Sequence, residues 1–183
     1  MAKVIFGMTM SLDGFVADQN GSVSRLYPDL STLRETDRLQ EVIRTTGAVL
    51  MGRGAYDMAN GDFTGYEFQV PIFVLTHTPP EIAAKGENEN LTFTFVIEGV
   101  ESAIEQAKAA AGDRNVVVIG GANTAQHLLK AGLIDEIDMD VMPVLLGAGL
   151  RLFEHLGTEP IELETTEVSQ SDGLIHLRFR VLP

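Results

Sequence analysis

Val116-Val117-Val118-Ile119 runs directly into Gly120-Gly121 and then into Ala122-Asn123-Thr124. An unbroken apolar run of this kind fits a strand covered on both faces. Two glycines then let the chain turn tightly into a helix. A strand–glycine–helix succession belongs to a mostly parallel sheet with crossover helices. It also leaves the free N–H groups of a helix start at the carboxyl end of a strand, where an anion is favoured. Ala48-Val49-Leu50-Met51 followed by Gly52-Arg53-Gly54 repeats the arrangement with a cation added. Neither turn is a Gly-x-Gly-x-x-Gly fingerprint or a P-loop. Each can be read as a tight turn that needs small residues or as a phosphate cradle. Two in one chain support each other, because a dinucleotide has two phosphates to hold.

The remaining pattern is consistent with that architecture. Val4 to Met10 reads as a strand, followed by a long loop from Gly14 to about Ser31. Thr32 to Thr46 reads as a helix with Leu39, Val42 and Ile43 on one face, stopped by Gly47. Ile72 to Leu75 and Leu91 to Ile97 read as strands. Val100, Ala103, Ile104, Ala107 and Ala111 mark an amphipathic helix, and a further helix turns Ala125, Leu128 and Leu129 inward before Gly132. Ile137, Met139 and Val141 alternate with Asp138 and Asp140, which suggests a strand near an edge. Two alternating runs, 159–168 and 174–182, flank Ser171-Asp172-Gly173 and predict a closing antiparallel hairpin. The expectation is a single α/β domain over 1–183, with a mostly parallel central sheet, helices on both faces and an antiparallel C-terminal strand. Ligands of such sheets bind at the strands' carboxyl ends. Here these ends are Ser11-Leu12-Asp13, Gly52-Arg53, Thr76-His77 and Gly120-Gly121.

Composition narrows the function classes. The 183 residues carry 13 Lys and Arg against 26 Asp and Glu, a net charge of −13. Phosphate backbones need clustered cations, so a nucleic-acid surface is not expected. No apolar run reaches the roughly 18 residues of a membrane span. The first residues enter a strand without a signal-peptide core. Cysteine is absent, which excludes thiol chemistry and suits a reducing cytoplasm. His77, His127, His155 and His176 show no metal-ligand spacing with one another, so no metal is expected. His77 is singled out by its place at a strand end; His127 and His176 read as structural or solvated. Ser11 lies outside any Gly-x-Ser-x-Gly elbow. Ser11 and Asp13 either cap backbone N–H groups of an Asp-Gly turn or face a substrate, and Asp29 carries the same two readings.

The ordered set Met10-Ser11-Leu12-Asp13-Gly14-Phe15-Val16-Ala17, Leu50-Met51-Gly52-Arg53-Gly54-Ala55-Tyr56, Val74-Leu75-Thr76-His77, Ile119-Gly120-Gly121-Ala122 and Pro143-Val144-Leu145-Leu146-Gly147-Ala148-Gly149 resembles the dihydrofolate reductase-like superfamily. Within it, the chain is most similar to stand-alone bacterial proteins related to the C-terminal reductase domain of the bifunctional riboflavin-biosynthesis enzyme. The resemblance implies an NADPH-dependent reductase. Gly52 and Arg53 would hold the pyrophosphate, and Thr76 and His77 would lie by the adenosine ribose and its 2′-phosphate. Gly120, Gly121, Ala122, Asn123 and Thr124 would line the other side of the cofactor, and Ala17 would face the nicotinamide. Ser11 and Asp13 would approach the substrate, with Asp13 or Asp29 orienting it or relaying a proton. Relatives often carry a basic residue where this chain has Thr78. The expected activity is hydride transfer to a carbonyl, imine or ring C=N of a small pyrimidine- or pterin-like molecule, in a cytoplasmic homodimer. The alternatives are a dihydrofolate reductase proper, a non-catalytic NADP(H)-binding module and a scaffold that uses the fold for pairing alone.

Overall fold

The computed structural model describes residues 2–29, 33–171 and 173–183. In chain order its elements are β1 (Val4–Ser11), β2 (Phe15–Asp18), α1 (Asp37–Thr45), β3 (Thr46–Gly52), α2 (Arg53–Met58), β4 (Ile72–Leu75), β5 (Phe93–Val96), α3 (Val100–Ala111), β6 (Asn115–Ile119), α4 (Ala122–Lys130), β7 (Glu136–Met142), β8 (Gly149–Arg151), β9 (Leu163–Ser171) and β10 (Leu174–Val181). Eight strands form one sheet in the order β5-β4-β3-β6-β1-β7-β10-β9, and β2 and β8 form a separate ribbon. Strands β5 through β7 run parallel, whereas β10 is antiparallel to β7 and β9. The fold is therefore α/β with a mostly parallel sheet and an antiparallel C-terminal end.

Both faces carry helices because both faces are apolar over the central strands. On one face α3 and α4 pack against Val4, Phe6, Leu50, Val116 and Val118. On the other, Tyr56 of α2 and Leu39, Val42 and Ile43 of α1 pack with Val49, Met51, Ile72 and Val74. All seven residues of β3 are buried, as its continuous apolar run requires.

Four local readings are corrected. Helix α1 begins at Asp37, capped by the Thr36 hydroxyl, which accepts from Leu39 N. Residues 33–36 lie ahead of that start, and Thr32 falls outside the described residues. Gly47 does not stop the helix; it lies inside β3. A Cβ there would sit 2.6 Å from the Ala111 carbonyl oxygen and 2.8 Å from Arg114 Cβ, so the glycine lets the end of α3 approach the sheet. Strand β7 is interior, between β1 and β10. Its alternation arises because Ile137 and Met139 join the core on the α4 side while Asp138 and Asp140 face a cavity. The loop after Gly14 contains β2, a four-residue strand too short to show a period.

Candidate active site

The two glycine turns are neighbours because β3 pairs with β6. After β3 the chain moves toward β4, and after β6 it moves the other way, toward β7. That divergence makes a crevice at the carboxyl edge, the usual ligand position of an open α/β sheet. Gly52 N donates to Gly120 O at 3.2 Å, stitching the turns together. A Cβ on Gly52 would lie 2.3 Å from Thr124 Oγ1, so Gly52 is glycine because α4 packs on it. Gly121 is different. Its φ of +55° and ψ of 122° favour glycine. An added Cβ would meet Thr124 Oγ1 and Gly52 Cα at ordinary distances of 3.6 and 3.9 Å. Packing therefore does not forbid a side chain there, and the small surface is left for an approaching group. Gly121 caps α4 without a side-chain hydrogen bond, so the first N–H groups of Ala122, Asn123 and Thr124 have no side-chain partner. Asn123 is exposed; Ala122 and Thr124 are buried.

Arg53 ties adjacent strand ends. Its Nε donates to Asp57 Oδ1 at 2.7 Å and a terminal nitrogen donates to Thr78 O at 2.7 Å. Thr76, buried at the end of β4, donates from Oγ1 to the same carbonyl at 2.9 Å. Thr78 thus contributes a backbone acceptor to both side chains. His77 lies exposed between them. Arg53, Thr76 and His77 are brought to the same edge as Gly52.

Ser11 and Asp13 act on the backbone. Ser11 is fully buried, donates to Asp13 Oδ1 at 2.6 Å and accepts from Phe15 N at 2.9 Å. Asp13 also accepts from Leu146 N at 3.1 Å and Gly147 N at 2.8 Å. The Ser11 hydroxyl, followed by those two amides, lowers its pKa to about 2. A carboxylate so held is ionised and occupied at neutral pH and has no proton to deliver. These hydrogen bonds are those of the capping reading. What Asp13 fixes is the 143–147 segment, which leads into β8. Leu152 N donates to Gly14 O, Arg151 lies over the Phe15 ring at 4.5 Å, and the buried Gln126 of α4 donates to Leu152 O at 2.9 Å. Together these hold the β2–β8 ribbon and, within it, buried Ala17. Asp29 is exposed and borders residues outside those described.

A cavity of about 470 Å³ lies between α1 and the sheet face formed by β1, β6, β7 and β10. Side chains cross this face in rows set by strand register. Thr9 opposes Asp140, which opposes His176; Gly7 opposes Asp138, which opposes Arg178. Gly7 also pairs with Ile119, so the Thr9–Asp140–His176 row lies one step beyond the end of β6, beside the Gly120 turn. His176 is buried. Its Nδ1 lies 2.5 Å from Asp140 Oδ1, and Ser171 Oγ lies 2.8 Å from Nε2. Hydroxyl, imidazole and carboxylate in that order can move a proton. In the next row Arg178 donates to Asp138 Oδ2 at 2.7 Å, and Arg38 of α1 bonds Asp138 Oδ1. Tyr27 lines the cavity, its hydroxyl accepting from Thr9 N at 3.4 Å, and burial raises its pKa. The sequence alone reads His176 as structural or solvated, whereas the register sets it opposite Asp140. The signal for the cluster was two facing alternations, Asp138-x-Asp140 and His176-x-Arg178, which only the β7–β10 register brings together.

No group of three or more His, Cys, Asp and Glu among the described residues could hold a metal ion, and no described helix is long and apolar enough to cross a membrane.

The profile of the RibD C-terminal domain family matches residues 2–177. YwjB of Bacillus subtilis, an uncharacterised protein, is 28% identical over 158 residues, which are 86% of each chain. The structure of a protein assigned to riboflavin biosynthesis in Shewanella sp. PV-4 is similar with a TM-score of 0.81 and 24% identity, over 99% of each chain. The deaminase and 5-amino-6-(5-phosphoribosylamino)uracil reductase of Thermotoga maritima gives a TM-score of 0.70 at 19% identity, with this chain spanning 57% of its length.

Proposed function

Because the chain belongs to the RibD C-terminal domain family, we propose that it is an NADPH-dependent reductase of a small pyrimidine- or pterin-like molecule. The observation that supports this most is a pair of features along β6: an uncapped helix start at Gly121, in the crevice between β3 and β6, and a cavity whose lining reaches Ile119, the residue before Gly120. The named reductase activity of the Thermotoga protein is in accord with this reading.

Gly120, Gly121 and the amides of Ala122, Asn123 and Thr124 would hold one part of the cofactor, and Gly52 and Arg53 the pyrophosphate. Thr76 and His77 would adjoin the adenosine ribose. Bound NADPH supplies the hydride. Ala17 would border the nicotinamide, and Asp13 with Ser11 acts as a positioning pair that keeps the 143–147 segment and the ribbon in place. Within the cavity the Ser171 hydroxyl, backed by His176 and Asp140, is the group placed to hand over a proton. We also propose that the protein pairs as a homodimer through the β9–β10 face.

Thermal unfolding with and without nucleotide tests the cofactor reading. At about 100 times its dissociation constant, a ligand adds about 2.7 kcal/mol. For a chain of this length that is a rise of roughly 5–10 °C. NADPH is expected to give it and NADH less. No shift with either nucleotide at millimolar concentration removes the reductase proposal and leaves the scaffold reading. A shift without NADPH oxidation on any pyrimidine or pteridine favours the binding module.

A further inference from the structure

The charge of the cavity wall limits what can enter. Among the described lining residues there are five carboxylates, Glu41, Glu67, Glu136, Asp138 and Asp140, against three cations. Each cation is already paired. Lys3 Nζ lies 2.5 Å from Glu136. Arg38 reaches Asp138, Asp140 and Glu167, and Arg178 reaches Asp138 and Glu167. The row next to the glycine turn, Thr9–Asp140–His176, contains no cation fixed by structure. Asp140 Oδ2 has no partner among the described residues, while Oδ1 takes His176 and lies 3.5 Å from Arg38 Nε. A free carboxylate oxygen accepts N–H groups and repels phosphate oxygens. Arg178 Nε has no acceptor among the described residues, but it is enclosed by protein, so no ligand oxygen reaches it. The chain's net charge of −13 adds a field of the same sign.

Resting on the reductase reading above, we infer that the substrate taken by this cavity is an amino-bearing heterocycle without a phosphate, neutral or cationic. This separates the chain from the Thermotoga reductase, whose named substrate carries a phosphoribosyl group. The cavity's 470 Å³ is in the range of small-molecule sites. The substrate's amino group sits on Asp140, and phosphate is refused because no lining cation is free to receive it without breaking an existing ion pair.

The test is calorimetric titration of the full chain saturated with NADP⁺, using 2,4-diaminopyrimidine and the matched pair cytidine and cytidine 5′-monophosphate. Diaminopyrimidine is expected to bind at least tenfold tighter than the monophosphate, and cytidine tighter than its phosphate. Asp140→Asn is expected to weaken diaminopyrimidine at least tenfold and to leave NADP⁺ affinity unchanged. Equal or tighter binding of the phosphorylated member overturns the inference, and that comparison needs no variant. So does an Asp140→Asn protein that is folded, as judged by its NADP⁺ affinity, and binds diaminopyrimidine normally. Failure of every heterocycle to bind while NADP⁺ binds also overturns it. Failure of NADP⁺ itself to bind overturns the reductase reading instead.

Discussion

Single side chains at this site separate into those that hold backbone and those that face the cavity. Asp13 holds backbone. Its folded pKa of about 2 lies below the ordinary 3.8, so its contribution to stability is present above about pH 4 and is lost as pH falls toward 2. Asp13→Asn is expected to remove that acid-sensitive component, visible as a flatter dependence of the urea midpoint on pH between 4 and 2. NADPH affinity is expected to change little. If the acid limb persists in the variant, other carboxylates carry it. His176 faces the cavity. His176→Gln is expected to lower turnover by about a hundredfold, the lower part of the range for a positioned acid, with NADPH affinity unchanged. A fall in affinity without a fall in turnover would assign it to packing. Arg53→Ala is expected to cost under about 1 kcal/mol of stability, since the pair is half exposed. It should weaken NADPH about tenfold, the loss of about 1.4 kcal/mol of charge-assisted bonding.

At the scale of elements, legibility in the sequence followed length and burial. Strands β3, β4 and β6 were readable because both faces are covered and the runs are continuous. Helices α3 and α4 were readable because alanines and leucines recur at helical spacing. Strands β2 and β8, of four and three residues, are held by Asp13, Gln126 and the Arg151–Phe15 contact rather than by any period of their own. The interior place of β7 was hidden because alternation normally marks exposure on one face, and a cavity produces the same pattern as solvent. Of the site, the glycine turns were legible as local chemistry. The Ser171–His176–Asp140 chain was not, since its members come from three strands and meet only through register. Gln126→Leu tests how much the ribbon matters. It leaves the Leu152 carbonyl buried without its donor, at a cost of about 1–3 kcal/mol. Turnover should fall more than NADPH affinity, because the glycine turns keep their own hydrogen bond. Unchanged stability in urea would show that β8 is held by β2 alone.

The whole molecule is covered unevenly. The central strands have helices on both faces, but the β9–β10 end leaves apolar side chains on its α4-side face in solvent. Val168 is 66% exposed, Leu163 41% and Ile175 39%. Nearly every residue of β9 is exposed, and it is the sheet's last strand. Uncovered apolar area beside an open edge is what an isologous pair would bury. Light scattering at micromolar concentration is expected to give twice 19.8 kDa, and Val168→Lys to give the monomer. A wild-type monomer would leave that face unexplained by pairing.

The placement of β1 also bears on how the chain can be made. Its register partners are Val116 on one side and Glu136 onward on the other, more than a hundred residues downstream. A chain emerging from the ribosome therefore exposes Val4, Phe6 and Met8 while β3, β4 and β5 are already synthesised but lack their central neighbours. Such long-range closure is slow, and unpaired strand edges invite association in the interval. Synthesis must pass Met142 before the first strand has both of its parallel neighbours, so the sheet closes from its middle late in translation rather than growing outward from its first segment.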